Sequence, residues 1–127
     1  MNVLLDSHAL IWWFNDPSKL SPKASAILRN PANTVLISAA VAWELAIKVN
    51  LGKLSALFLI SELVQRMNQE GFTELPISIA QAVRAGLLPR HHRDPFDRLL
   101  VAQAQDLNVP VLSADKLLDR YDVNRVW

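Results

Sequence analysis

Residues 3–6 read VLLD, a short apolar run that ends in an aspartate, and similar runs recur along the chain. A few consecutive apolar residues bounded by polar ones predict a buried β-strand. Comparable runs are found at residues 34–37 (TVLI), 72–75 (FTEL) and 110–113 (PVLS), and residues 123–127 are a candidate last strand. The sequence therefore predicts four to five short strands.

Helical segments separate these strands. They cover residues 22–30, 38–50, 58–70, 78–85 and 94–107, and a short helix begins at Asp115. Gly52, Gly71 and Gly86 each follow a predicted helix end, where glycine is favoured. Strands that alternate with helices indicate an α/β fold, with a central parallel sheet and helices on both faces. In such sheets ligands bind at the carboxyl ends of the strands.

Length and composition limit the classes of protein to which the chain can belong. The 127 residues predict a single domain, 1–127. Hydrophobic residues make up 51% and charged residues 20%, which excludes intrinsic disorder, and a net charge of +1 excludes a strongly basic surface overall. The absence of cysteine excludes disulfides and thiolate sites and suits a reducing compartment. No apolar stretch approaches the ~20 residues of a membrane span, so we expect a cytoplasmic protein.

Four acidic residues fall where the strands of the predicted sheet end. Asp6 ends the first strand, Asp115 follows the strand at 110–113, and Glu44 lies in the second turn of the helix after strand two. Asp97 lies in the first turn of the helix that begins near residue 94. Each has a simpler interpretation: Asp6 and Asp115 could cap helices, Glu44 could pair with Lys48, and Asp97 could complement a helix dipole.

If all four carboxylates lie close together, these simpler interpretations become less favourable than a shared metal site. Two such charges ~5 Å apart repel by about 3 kcal/mol at an effective dielectric constant near 20. A divalent cation relieves this repulsion, and an all-oxygen site favours Mg²⁺ or Mn²⁺ over Zn²⁺. We therefore expect a magnesium or manganese site at the carboxyl edge of the sheet.

Four motifs, in order, resemble those of one family. They are LLDSHALIWW (4–13), ISAAVAWELAIK (37–48), HHRDPFDRLLVAQA (91–104) and VLSADKLLDRY (111–121). Together they resemble PIN-domain ribonucleases, and most closely the VapC-type toxins of bacterial toxin–antitoxin pairs. This resemblance implies a PIN-like fold and Mg²⁺- or Mn²⁺-dependent endonucleolytic cleavage of RNA.

The resemblance also implies roles for individual residues. The catalytic, metal-binding residues of the family are matched by Asp6, Glu44, Asp97 and Asp115. Ser7 and Ser113 stand where the family often has threonine and keep the hydroxyl group. Arg98 and Asp119 are further auxiliary candidates because of their positions and not because of the resemblance. Arg98 follows Asp97 and could bind an RNA phosphate or instead pair with an acid of the site, and Asp119, on the helical face of Asp115, could assist the site or be only a surface charge.

A basic cluster precedes Asp97 in the sequence. Arg90, His91, His92 and Arg93 are its members, and they could bind RNA phosphates beside the metal. The alternative is a solvated loop before a helix. His8, two residues after Asp6, is more consistent with packing or hydrogen bonding than with metal ligation.

Aromatic and apolar residues could provide a binding surface. They are Trp12, Trp13, Phe14 and Trp43, together with Leu57, Ile60, Val64 and Met67 at helical spacing. Core packing accounts for some of them, and the remainder could line an exposed groove. The VapC-type resemblance implies two uses for such a surface, homodimerisation and capture of a VapB-type antitoxin.

Two other functions compete with nuclease activity. A phosphatase with an aspartyl nucleophile requires a second aspartate two residues after the first, where this chain has His8. A non-catalytic PIN-like scaffold that binds RNA or protein remains the alternative, although the four intact acids argue against it.

Within the third motif, Asp94 precedes Pro95 and is expected to be the N-cap, which leaves Asp97 for the metal.

Overall fold

The computed structural model describes residues 1–55 and 60–127 of the chain. Within these residues, the strands form one parallel sheet in the order β3-β2-β1-β4-β5. The strands are β1 (Asn2–Leu5), β2 (Thr34–Ser38), β3 (Thr73–Leu75), β4 (Val111–Leu112) and β5 (Arg125–Val126). The predicted parallel α/β sheet of four to five strands is therefore confirmed.

Helices connect these strands. The α-helices are α1 (Ser7–Asn15), α2 (Pro22–Arg29), α3 (Ala39–Asn50), α4 (Leu63–Glu70), α5 (Ile79–Leu87) and α6 (Pro95–Leu107). Short 3₁₀ helices cover Pro17–Lys19 and Lys116–Arg120. Among the helices of residues 1–55 and 60–127, none has the length and apolar character that crossing a membrane requires.

Helix boundaries test the predictions made from capping residues. Ser38 and Ser78 cap α3 and α5 through their side chains, as serine at these positions predicts. Gly71 ends α4 in the left-handed conformation, with φ of 72°. The prediction that Gly86 follows the end of α5 was wrong. Gly86 lies inside α5, which ends at Leu87, because Pro89 biases the preceding Leu88 toward extended backbone.

The predicted helix at 58–70 is described only in part. Residues 58 and 59 lie outside the described residues, and α4 itself begins at Leu63. Glu62, which precedes it, makes no side-chain capping bond. The predicted carboxyl end at Glu70 agrees with the structure.

Strand β1 lies at the centre of the sheet and explains where the site forms. Val3, Leu4 and Leu5 point to alternate faces, and all three are completely buried, so both faces of the sheet are covered. Leu5 pairs with Leu112 in the parallel register, which brings the residues after β1 and β4 side by side. The carboxyl edge of β1, β2 and β4 is thus one continuous surface.

Candidate metal centre

Asp6 lies immediately after β1 and is 4% exposed. Its Oδ1 accepts a hydrogen bond from the Ala9 N–H at 2.8 Å, so this side chain also caps α1. Its Oδ2 accepts a hydrogen bond from the Ser113 hydroxyl, whose oxygen accepts one from the Asp115 N–H at 3.0 Å. Burial raises the pKa of Asp6 above its ordinary value. Ser113 therefore joins the two aspartates at the ends of β1 and β4.

A histidine lies between two of the predicted acids. His92 Nε2 is 2.7 Å from Asp115 Oδ2 and 3.1 Å from Asp97 Oδ2. These three side chains place one potential ligand atom each within 4.8 Å of one another. The His92 side chain is only 11% exposed, so the contact is largely shielded from solvent. The imidazole thus connects the start of α6 with the residue after β4.

The surrounding loop determines which nitrogen of His92 carries the hydrogen. Its Nδ1 accepts a hydrogen bond from the Asp94 N–H at 3.1 Å, so the hydrogen of the neutral ring is on Nε2. The His92 N–H donates to the Tyr121 hydroxyl at 2.9 Å, and that hydroxyl donates to the Pro89 carbonyl. Arg98 Nη1 donates to the His92 carbonyl at 3.2 Å. In this arrangement His92 Nε2 donates its hydrogen to the Asp115 carboxylate.

Helix α3 presents the remaining acid to the same edge. Glu44 is 2% exposed, and its Oε2 accepts a hydrogen bond from Lys48 Nζ at 2.6 Å. Its other oxygen, Oε1, is buried and has no hydrogen-bond partner among the residues that the structure describes. Burial alone would lower the pKa of Lys48, but its bond to Glu44 and the nearby charges of Asp94 and Asp97 raise it, so the amine stays protonated.

The pKa of Asp97 reports how close the acids lie. Burial, together with the negative charges of Asp94, Glu44 and Asp6, raises this pKa to about 7, although His92 acts in the opposite direction. Asp115 likewise raises the pKa of Asp6. Each of the four predicted acids is therefore within electrostatic reach of another, and the structure brings them to one edge of the sheet, as the strand-end positions predict.

These residues fit a divalent cation. A buried carboxylate oxygen without a partner, such as Glu44 Oε1, costs free energy that a bound cation would recover. Carboxylate oxygens are the ligands preferred by Mg²⁺ and Mn²⁺. In the observed arrangement His92 Nε2 carries a hydrogen and therefore offers no lone pair to a cation. His92 is thus placed to hold the neighbouring carboxylates and not the cation itself.

The predicted auxiliary residues have different surroundings. Ser7 begins α1, directly after Asp6, and is buried. Both oxygens of Asp119 accept hydrogen bonds from Arg125 at 2.8 and 3.0 Å, and Arg125 Nη1 donates to the Ser113 carbonyl at 3.0 Å. Arg98 contacts a main-chain carbonyl and no acid of the centre in the bonds that the structure describes. In the described bonds, Asp119 is thus connected to the centre through Arg125 and the Ser113 carbonyl, and Arg98 through the His92 carbonyl.

The predicted RNA-binding cluster divides into two parts. Arg90, His91 and Arg93 are exposed, as a phosphate-binding surface requires, and the His91 ring contacts Tyr121 edge-on at 5.2 Å. His92 differs from the expectation, because its ring faces the carboxylates and not the solvent. A run of basic residues in a loop carries no periodicity from which the direction of one side chain could be read.

The predicted aromatic groove is only partly present. Trp43 is 62% exposed, and its ring contacts that of Phe96 edge-to-face at 5.3 Å. Each of these residues directly precedes an acid of the centre in the sequence, Glu44 and Asp97 respectively. Trp13 and Phe14 instead pack on Phe72, at 6.5 and 6.2 Å between ring centroids. These two rings are partly buried and pack against the core.

The helical members of the predicted groove also differ among themselves. Met67 is buried, Val64 is 59% exposed, and both line a cavity of about 300 Å³ beside α3 and α4. Trp12 and Ile60 are partly buried against the core. Leu57 lies outside the described residues.

Comparison with known proteins agrees with this architecture. Ribonuclease VapC22 of Mycobacterium tuberculosis is 30% identical over 118 residues, which cover 91% of this chain and 88% of that protein. The fold is similar to that of VapBC2 from Rickettsia felis bound to a DNA fragment from their promoter, with a TM-score of 0.67 and 16% identity over 100% of this chain and 99% of that chain. VapBC-1 from nontypeable Haemophilus influenzae gives a TM-score of 0.66 and 15% identity over 99% and 97%. The family model described as the PIN domain matches residues 3–124, and the chain belongs to that family.

Proposed function

We propose that this protein is a Mg²⁺- or Mn²⁺-dependent endoribonuclease and the toxin component of a VapBC-type toxin–antitoxin pair. The observation that carries the proposal is the buried Oε1 of Glu44, which has no hydrogen-bond partner among the described residues, on a carboxylate whose charge raises the pKa of nearby Asp97. The relative Ribonuclease VapC22 supports RNA as the substrate class, and the VapBC structures support an antitoxin as partner.

In this proposal Asp6, Glu44, Asp97 and Asp115 hold the cation. When bound, Mg²⁺ or Mn²⁺ supplies an activated water and neutralises charge on the phosphate and on the leaving oxygen. Asp97 gives up its proton to bind as a carboxylate, because its pKa is about 7 in the absence of metal. Ser113 holds the Asp6 carboxylate and the Asp115 main chain in place through its two hydrogen bonds.

Residues around the acids have supporting roles. The Lys48 ammonium holds one oxygen of Glu44 and leaves the other free. His92 Nε2 donates a hydrogen bond to Asp115 and lies 3.1 Å from Asp97 Oδ2, and so keeps these two side chains together. The exposed Arg90, His91 and Arg93 are proposed to contact RNA phosphates.

The remaining features of the proposal concern the molecule as a whole. Residues 1–127 form one domain, which is supported by the cluster of buried apolar residues that spans the sheet in the described part of the chain. The protein acts in the cytoplasm, where cellular RNA is available. It forms a homodimer in addition to its antitoxin complex. Ile79, Val83 and Leu87 support self-association, because they are 85%, 56% and 81% exposed at four-residue intervals along α5.

Substitution of one acid tests the proposal against the non-catalytic alternative. Asp6→Asn should abolish Mn²⁺-dependent RNA cleavage while the protein stays folded, because removing one of several repelling charges relieves the metal-free centre. Cleavage is followed on gels with Mn²⁺ or with chelator, and folding by circular dichroism. Asp122→Asn is the matched control, since this exposed aspartate adjoins the amino end of β5 at the opposite edge. Unchanged cleavage by the Asp6 variant would favour a scaffold function.

A further inference from the structure

A second cavity, of about 400 Å³, opens beside the acidic centre. It is lined by residues from the start of α1, the loop after α1 and the carboxyl end of α3. Those that carry its chemistry are Ser7, His8, Trp12, Lys19, Lys48 and Lys53. We call this cavity the lysine pocket.

The lysine pocket adjoins the proposed reaction centre through two of its own residues. Ser7 directly follows Asp6 in the chain, and Lys48 donates a hydrogen bond to Glu44 at 2.6 Å. A polymer with one phosphodiester at the acids therefore has its next nucleotide within reach of the pocket. Because an endonuclease holds chain on both sides of the bond that it breaks, this position suits a substrate contact.

The charge of the lysine pocket is opposite to that of the acidic centre. Its charged lining residues are three lysines and one aspartate, Asp16. Lys19 lies 3.9 Å from Asp16 in an exposed pair, which contributes little and leaves the amine available. Lys53 is exposed, and the ion pairs found in the described part of the chain do not include it. The pocket thus attracts phosphates that the four carboxylates repel.

Two rings complete the lining of the lysine pocket. The His8 and Trp12 ring centroids are 5.8 Å apart with an interplanar angle of 49°. The Trp12 ring also contacts the Trp127 ring, at 5.8 Å between centroids, and is partly buried. Of His8 and Trp12, His8 is therefore the residue that is exposed to solvent. Nucleic-acid bases stack on such rings without strong sequence preference. Ammonium groups beside an exposed ring are a combination that recognises a nucleotide.

We propose that the lysine pocket binds the nucleotide adjoining the scissile bond of single-stranded RNA. Lys19 and Lys53 contact its phosphate, and the His8 ring stacks on its base. The proposal rests on the nuclease function above and adds to it a site for the substrate outside the metal centre. An acidic segment of a protein partner could also satisfy the lysines, but it would not need the ring.

The experiment compares a Lys19→Ala/Lys53→Ala double variant with a Lys23→Ala control. Lys23 is an exposed lysine of α2 outside the pocket. With Mn²⁺ and a short single-stranded RNA of mixed sequence, the KM of the double variant should be roughly tenfold higher than that of the wild type, which is equivalent to about 1.4 kcal/mol. Its kcat should change little, because neither lysine contacts the acids. The slope of log affinity against log salt should fall in magnitude by about 0.7 when the contact with one phosphate of a single strand is lost.

The stacking contact has its own pair of variants. His8→Leu should raise KM, and His8→Phe should restore it, because phenylalanine keeps an aromatic face. If His8 had only a structural role, the His8→Leu and His8→Phe variants should have similar KM values, because either side chain fills the space without a requirement for stacking. Equal KM for His8→Leu and His8→Phe would overturn the assignment of the ring.

The outcomes separate the subsite from the nuclease function. If the wild-type protein cleaves RNA and the double variant keeps the same KM and salt slope, the lysine pocket is not a nucleotide site. If the wild-type protein cleaves no RNA, the proposed function fails. Binding of the same RNA, labelled with fluorescein, is therefore also measured by anisotropy in chelator. A weaker affinity of the double variant there supports the pocket independently of cleavage.

Discussion

Asp97 is a carboxyl group whose ordinary pKa of 3.8 is raised to about 7 in the folded, metal-free protein, first by burial and then by neighbouring acids. Between about pH 4 and 7 the folded protein holds a proton there that the unfolded chain has released. The free energy of unfolding therefore falls as pH rises through this window. The raised pKa of Asp6 acts in the same direction.

This linkage gives a prediction for the metal-free protein. In chelator, the wild type should lose stability as pH rises from about 4 to 7, and Asp97→Asn should lose clearly less, because asparagine has no proton to release. Urea denaturation at several pH values measures the difference. Adding Mn²⁺ should stabilise the wild type more at neutral than at acidic pH, because the cation binds the ionised carboxylate. Identical pH dependence of the two proteins would contradict the raised pKa of Asp97.

At the scale of the element, the start of α6 gives two neighbouring aspartates opposite roles. Asp94 is the N-cap and its Oδ1 accepts a hydrogen bond from the Phe96 N–H at 2.9 Å. Pro95 occupies the first helical position. Asp97, one turn further, is free of capping and turns toward His92 at 3.1 Å. The prediction that Asp94 caps the helix is confirmed.

Substituting each of these aspartates should separate their roles. Asp94→Asn should cost less than about 1 kcal/mol of stability, because asparagine also caps well, and should keep substantial RNA cleavage. Asp97→Asn should be stable but inactive. Activities of the two variants are compared side by side at saturating Mn²⁺, with unfolding curves for both. The reverse order of activities would assign the metal-binding role to Asp94.

These elements also mark how far sequence reasoning reaches. Asp6 and Asp115 were predictable at the sheet edge because each follows an apolar strand, and the ends of neighbouring parallel strands meet. The bridging position of His92 was not, because a loop has no periodicity and the direction of its ring depends on contacts with Asp94 and distant Tyr121. Asp119 shared a helical spacing with Asp115 but pairs with a residue of β5, which only the tertiary structure reveals.

On the scale of the whole molecule, one exposed ring adjoins the acidic centre. Trp43 precedes Glu44 on α3, and its partner Phe96 precedes Asp97 on α6. The pair therefore joins the two helices that carry these acids. An exposed aromatic residue beside charged groups is typical of the anchor positions of protein interfaces. We expect the antitoxin to cover Trp43 and to direct an arginine or lysine toward the carboxylates.

The Trp43→Ala variant tests this expectation. It should weaken antitoxin binding by about 2 kcal/mol, which is roughly 30-fold, while RNA cleavage changes much less. The fold should survive, because the side chain is 62% exposed. Calorimetry with the cognate antitoxin measures affinity, and Leu107→Ala, at an exposed leucine that ends α6, is the control. Undiminished antitoxin affinity of a folded Trp43 variant would refute this use of the ring.

The bond between Ser113 and Asp6 joins residues 107 positions apart in the chain. A ribosome that has made β1, β2 and β3 has therefore produced most of the sheet but only half of the acidic centre. Synthesis proceeds at about 5–20 residues per second, so several seconds separate the appearance of Asp6 from that of Asp115. During that time the growing chain lacks Asp115 and the β4 edge that holds Asp6. Because the proposed metal site needs all four acids, we expect a chain that is still being translated to have no nuclease activity until residues of β4 and Asp115 have been added.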